Sequence, residues 1–154
     1  MKFWIGAVLG SLMLAASVSG SHAEGRPTEV ARKYFAAMDA GKLDDAEALF
    51  AEESSVFETG GTEGTWAHYR EHHLGPEIDA IDSFETRLGD PEEGRSADGS
   101  MAFVAWPLEY RIVLKDERVI NSKGTVTFVL VKRDTSYRIR HVHWSSRRMK
   151  AEGH

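Results

Sequence analysis

The chain has 154 residues and a mass of 17.2 kDa, with no cysteine, 42% hydrophobic and 28% charged residues. That size suits one globular domain and excludes a disulfide scaffold, a multi-domain assembly and a polytopic membrane protein. With 19 Lys+Arg against 24 Asp+Glu the net charge is −5, which disfavours nucleic acid, since nucleic acid rewards a basic surface.

Lys2 precedes an apolar run from Phe3 to Ala16, followed by small and polar residues ending Gly20-Ser21-His22-Ala23. Ser21 and Ala23 occupy the small-residue positions that a signal peptidase needs. The run is shorter than the roughly 20 apolar residues of a membrane-spanning helix, and Gly6, Gly10 and Ser11 interrupt it. Residues 1–23 are expected to be a cleaved export signal and 24–154 a single domain, periplasmic or secreted, with no stable membrane insertion after cleavage. Without disulfides the core must hold this domain alone, and a chain of this size buries roughly two thirds of its unfolded surface. The late cluster Arg138, Arg140, Arg147, Arg148 and Lys150 reads as a solvated edge and tail.

In chain order, Pro27-Thr28 starts a first helix, with Thr28 as N-cap. Val30, Tyr34, Phe35 and Met38 recur at helical spacing until Gly41 ends it. A short second helix places Leu43, Ala46, Leu49 and Phe50 on one side and Asp44, Asp45 and Glu47 on the other. Ser54 to Thr59 alternates as a strand and Gly60-Gly61 turns it. Thr65 caps a third helix from Trp66 to Leu74, which Gly75-Pro76 interrupts before one more turn from Glu77 to Ile81.

From Ser83 the apolar period changes from 3.6 to 2. Strands are expected at 83–88, 101–114, 118–133 and 137–147, with an acidic Gly/Pro-containing loop after the first. Two of them far exceed the usual ~5–6 residues, and Pro107 and Gly124 are the natural places for a bulge or kink. Helix, helix, hairpin and helix followed by long bent antiparallel strands describe an α+β cone, a curved sheet wrapped around a helix with a hollow between them.

The segment Lys33 to Phe50 (KYFAAMDAGKLDDAEALF) and the closing strand Tyr137 to Ser146 (YRIRHVHWSS) resemble the SnoaL-like branch of the nuclear transport factor 2-like superfamily. The resemblance spans Thr28 to about Arg147. It implies a cone of three N-terminal helices packed on a curved, mainly antiparallel sheet, a pocket at its open end, and homodimerisation through the outer sheet face. It does not imply one activity, because the superfamily includes isomerases, cyclases, dehydratases and transport factors, and fold alone does not hand over function. The Asp base and the Tyr/Asp oxyanion pair of its ketosteroid isomerases have no counterpart that can be matched in this sequence.

The chain offers histidines instead. On the third helix Trp66, Tyr69, His73 and Leu74 share the apolar side, whereas His68 and His72 point away from it as a solvated pair. On the last strand Tyr137, Ile139, His141, His143 and Ser145 fall on one face by simple alternation, and the two arginines opposite mark that face as the inner one. His141 and His143 would then stand about 7 Å apart at their Cα atoms, looking inward. With His73 facing them across the cone and Glu77 nearby, three imidazoles and a carboxylate could hold zinc or copper. Two other readings stand beside this one: a pocket histidine used for acid-base chemistry, and histidines that only hydrogen-bond within the core.

Among other candidates, Glu58 and Glu109 sit on strands, where a carboxylate buried in the pocket would serve as a general base; the other reading for both is a solvent-facing or salt-bridged carboxylate. Phe57, Trp66, Tyr69, Tyr110 and Phe128 are candidates to line the pocket, with Phe103 and Trp106. Val142 and Trp144, placed outward by the same alternation, would suit a sheet-to-sheet dimer. No phosphate-cradling glycine pattern, HExxH or nucleophile elbow occurs. The sequence therefore points to an exported pocket protein that takes a small molecule or a metal ion. Its alternative is a SnoaL-like enzyme of the isomerase, hydratase or cyclase type, in which His73, His141 or Glu58 moves a proton on a small apolar substrate.

Overall fold

The computed structural model describes residues 25–150, so the expected export signal lies outside the described residues. The first helix, α1 (Pro27–Asp39), has Pro27 at its first helical position, where the missing N–H costs nothing and the fixed φ is already helical. This makes Arg26 the N-cap. Thr28, expected as the cap, lies inside the first turn, and its hydroxyl and backbone N–H both donate to Glu93. Val30, Ala31, Tyr34, Phe35, Ala37 and Met38 form the buried stripe of α1. Gly41 then leaves the helix at φ +65°, a conformation that glycine adopts without steric cost.

Only α1 is long. The second helix, α2 (Leu43–Glu47), is a single short turn. The third helical segment is not N-terminal, because it follows a hairpin of β1 (Phe50–Glu58) and β2 (Gly61–Gly64). It runs without a break through α3 (Trp66–Tyr69), a π-helical turn (Arg70–Leu74) and α4 (Gly75–Ile78). Gly75-Pro76 therefore does not interrupt it. A Cβ on Gly75 would meet the Arg70 carbonyl oxygen at 2.7 Å, so the absence of a side chain there lets the widened turn close.

The remaining strands are β3 (Ile81–Leu88), β4 (Glu92–Arg95), β5 (Met101–Leu114), β6 (Val119–Arg133) and β7 (Ser136–Arg148). They form one sheet in the order β2-β1-β7-β6-β5-β3, with β4 paired to β5 beyond this path. Only β1 and β7 run parallel; every other pairing is antiparallel. β4 lies where an acidic loop was expected. Its exposed charged residues carry no apolar alternation, and Gly94 leaves room for the ring of Phe103 directly opposite, which a Cβ would meet at 2.2 Å.

α1 packs on the inner face of this sheet. Phe35 meets Trp106, Phe128 and Trp144 edge-on, and Tyr34 meets Phe128 at 5.3 Å and Trp66 at 5.8 Å in the same manner. Edge-to-face pairs of this kind add about 0.5–1.5 kcal/mol each beyond burial, so the aromatic cluster fixes where the helix sits.

Pro107 and Gly124 were the expected kinks, yet β5 and β6 stay in continuous register through Pro107↔Thr125 and Leu108↔Gly124. The irregularity falls in β7 instead. Val129 pairs with His141 and Leu130 with Ile139, leaving Arg140 as an extra residue without a partner. One extra residue exchanges the two faces of everything beyond it. Tyr137 and Ile139 are buried before the bulge, and Val142 and Trp144 are buried after it. These two apolar pairs are out of phase by one residue in sequence, and the bulge at Arg140 is what allows both into the core. The expectation that His141 and His143 look inward, and that Val142 and Trp144 look outward, is thus reversed.

Candidate functional site

Between the third helical segment, α1 and the inner sheet face lies a cavity of about 90 Å³, or about 590 Å³ once its open mouth is counted. Met38, Leu74, Ile78, Ile81 and Ile112 make its apolar surface, and Tyr34, Tyr69, Phe84, Tyr110 and Trp144 its aromatic walls. Among the described residues the only charged side chains lining it are Glu58, from the end of β1, and Glu77, from α4.

Two contacts set the helical segment over this hollow. At its start the Thr65 hydroxyl accepts from the His68 N–H at 3.2 Å, and the Trp66 N–H donates to the buried Ser54 hydroxyl at 3.0 Å. In its π-helical turn the Arg70 guanidinium is clamped by Asp44 and Glu47 of α2, which hold its pKa above the ordinary value. Tyr69 then points inward and donates to Glu58 Oε2 at 2.7 Å.

His73 stands behind these groups with three carboxylates around it. Its Nδ1 lies 3.1 Å from Glu63 Oε2, and its Nε2 lies 3.3 Å from Glu77 Oε1 and 3.9 Å from Glu58 Oε2. Burial alone would lower its pKa, but the Glu63 hydrogen bond and the charges of Glu77, Glu58 and Glu63 together raise it. The Tyr69 phenol is pushed far above its ordinary range, chiefly by burial and further by Tyr34 and Glu58. Burial does the same to Tyr34, whose oxygen accepts from Trp144 Nε1 at 3.3 Å. Both phenols are therefore neutral donors across the physiological range.

Of the residues singled out from the sequence, Tyr69, Tyr110, Glu58 and Glu77 line the cavity, and His73 adjoins it. The others lie elsewhere. Trp66 and Phe128 are deep in the core at 1% and 0% exposure, and Trp106 is buried beside them. Phe57 and Phe103 are exposed, and Glu109 pairs with Arg87 at 3.6 Å on the surface. His141 and His143 occupy the outer sheet face against Phe57, and His141 Nδ1 is 2.8 Å from the Ser55 hydroxyl. Burial and the neighbouring His143 and Arg140 lower the His141 pKa.

The bulge at Arg140 therefore separates the expected metal set: His73 and Glu77 belong to the cavity side, whereas His141 and His143 belong to the opposite face. Among the described residues no group of three or more His, Asp or Glu is arranged to hold a metal ion. Sequence reasoning missed Tyr34, Phe84 and Trp144 as walls of the cavity. A phenol within the apolar stripe of α1 was a usable signal for Tyr34, and the phase shift in β7 was one for Trp144.

The chain belongs to the SnoaL-like domain family, whose model matches residues 28–149. No curated protein matches it. Among solved structures it is similar to a nuclear transport factor 2-like superfamily protein from Salmonella enterica, with a TM-score of 0.70 and 23% identity over 82% of this chain and 92% of that one. It also resembles a protein provisionally named scytalone dehydratase from Novosphingobium aromaticivorans, with a TM-score of 0.70 and 13% identity over 81% and 86%. A third, from Shewanella frigidimarina and provisionally named ketosteroid isomerase, has a TM-score of 0.64 and 23% identity over 75% and 91%. At these identities the likeness establishes the fold: an α+β nuclear transport factor 2-like cone with a curved, mainly antiparallel sheet.

Proposed function

We propose that this SnoaL-like chain is an exported enzyme that moves a proton on a small, largely apolar molecule, in an isomerisation, hydration or cyclisation. The observation that carries the reading is the run Tyr69–Glu58–His73 at the mouth of an apolar cavity. Glu58 is the proton carrier, since its carboxylate lines the cavity and accepts from the Tyr69 hydroxyl, with the His73 imidazole 3.9 Å away. Tyr34, kept neutral by burial, is the hydrogen-bond donor to a substrate oxygen on which charge develops, while the Tyr69 hydroxyl orients Glu58. His73, set back from the cavity, is a positioning residue that holds Glu58 and Glu77 in place. Export rests on the Lys2 and Phe3–Ala16 segment ending at Ala23.

The test uses a β,γ-unsaturated cyclic ketone, whose conjugation requires removal and return of one proton. Wild-type protein is expected to accelerate the ultraviolet absorbance rise and to wash deuterium from solvent into the ring, and Glu58→Gln to lose both by a factor of about 10²–10⁴. Equal rates for the two proteins would overturn the assignment of Glu58. A binding protein with the same cavity and no chemistry is the second reading, favoured if small ketones perturb Trp144 without exchange. Self-association through the outer sheet face belongs to this proposal too, because Phe57, Met101 and Phe103 are exposed at 39%, 46% and 39%. Sedimentation equilibrium reads it directly.

A further inference from the structure

The charge of the cavity narrows what it takes. None of the side chains lining it is cationic, and its two charged members, Glu58 and Glu77, are both carboxylates. Glu63 adds a third carboxylate one contact further out, against the single imidazole of His73. An anionic ligand entering this mouth meets repulsion with no lysine or arginine to offset it, and a neutral one is indifferent to it.

The walls carry a second, independent preference. Tyr110 stands at 85° to Trp144 with ring centroids 6.0 Å apart, and Phe84 lies 5.8 Å from Tyr110 at 52°. The rings of Tyr34, Tyr69, Phe84, Tyr110 and Trp144 all line the hollow, and the face of an aromatic ring attracts a cation within about 6 Å of its centroid. The Trp144 indole N–H is already spent on Tyr34, so this ring has no polar donor left for a ligand oxygen.

Building on the acid-base reading of the same cavity, we propose that its ligand is a small organic cation, an alkylated ammonium group seated among Trp144, Tyr110 and Tyr69 with Glu58 and Glu77 as its counter-charges. At about 90 Å³ the enclosed space admits a head group of a few heavy atoms, well below the ~300 Å³ at which drug-sized pockets begin. The apolar surface of Leu74 and Ile112 takes the alkyl substituents, and the carboxylates balance the charge at the rim.

Three probes of one shape and three charges test this: choline, its carbon isostere dimethylbutanol, and dimethylbutanoate. Each is titrated into the full chain while the Trp144 indole N–H resonance is followed by NMR. Choline is expected to bind about tenfold more tightly than dimethylbutanol, a ratio within reach of one desolvated cation–π contact, and dimethylbutanoate to bind weakest. Glu77→Gln is expected to lower the choline affinity severalfold and leave that of dimethylbutanol unchanged. If dimethylbutanol binds as tightly as choline, the charge preference is wrong while the cavity as a binding site stands. If none of the three moves the Trp144 resonance, the cavity reading itself falls, and the charge preference with it.

Discussion

The Tyr69 hydroxyl donates to Glu58 Oε2 at 2.7 Å, and this one contact ties the helical segment above the cavity to the strand below it. Tyr69→Phe keeps the ring and removes the donor, leaving a part-buried carboxylate with one fewer partner. The expected loss is about 1 kcal/mol of folding stability, read by urea unfolding, with a larger proportional loss in any proton-transfer rate that depends on Glu58. A variant as stable as wild type would mean that water replaces the phenol without penalty.

His73 and His141 are expected to titrate on opposite sides of the ordinary histidine value of 6.5. The raised pKa of His73 gives stability that is fully present below pH 6.5 and lost as pH climbs through the folded value. The depressed pKa of His141 gives stability that is present above pH 6.5 and lost as pH falls through its folded value. Both effects are modest, since the His73 side chain is 34% exposed and solvent screens its partners. NMR of the imidazole protons assigns each curve through His73→Gln and His141→Asn variants. The reverse order of midpoints would contradict the surroundings described for the two rings.

Deleting Arg140 and substituting it are both expected to leave the two faces of β7 as they are. Arg140→Ala removes only a surface ion pair with Glu53 at 3.8 Å and should change stability by about 0.5 kcal/mol or less. Removing the residue altogether makes Ile139↔Leu130 and His141↔Val129 successive pairs, so β7 alternates without a bulge while Val142 and Trp144 stay on the inner face and His141 and His143 on the outer one. The deletion costs the ion pair and the local bend of the bulge, about 0.5–3 kcal/mol, and the variant should keep a cooperative thermal transition. Loss of the cooperative transition in the deletion variant would show that the bend at the bulge, and not only the phase of the two apolar pairs, holds β7 on the core.

How much was legible in the sequence divides along this same strand. The bounds of β5, the stripe of α1, the Thr65 cap and the cone architecture follow from local periodicity and capping chemistry, which need no partner to act. The faces of β7 do not, because a bulge is decided by which register buries Tyr137, Ile139, Val142 and Trp144 together, a sum over the whole sheet. Reading the strand by uninterrupted alternation placed His141 and His143 inside and invited a metal site. Tyr69 and His73 share one side of their helical segment, as the 3.6-residue period implies, and Glu58 and Tyr110 line the cavity from β1 and β5. β4 was missed because Glu92, Glu93 and Arg95 carry no apolar signal, and the π-helical turn because i→i+5 bonding leaves no pattern of its own.

The parallel pairing of β1 with β7 joins the opening of the domain to its close. Until the last strand has been synthesised, β1 and β2 have no edge to join, and the carboxylate at the end of β1 has no fixed position. Contacts this distant along the chain make for slow acquisition of the native state, on the order of milliseconds to seconds. A growing polypeptide lacking its final strand would therefore stay open along one whole side of the sheet, with the β1-β2 hairpin not yet joined to β6, β5 and β3.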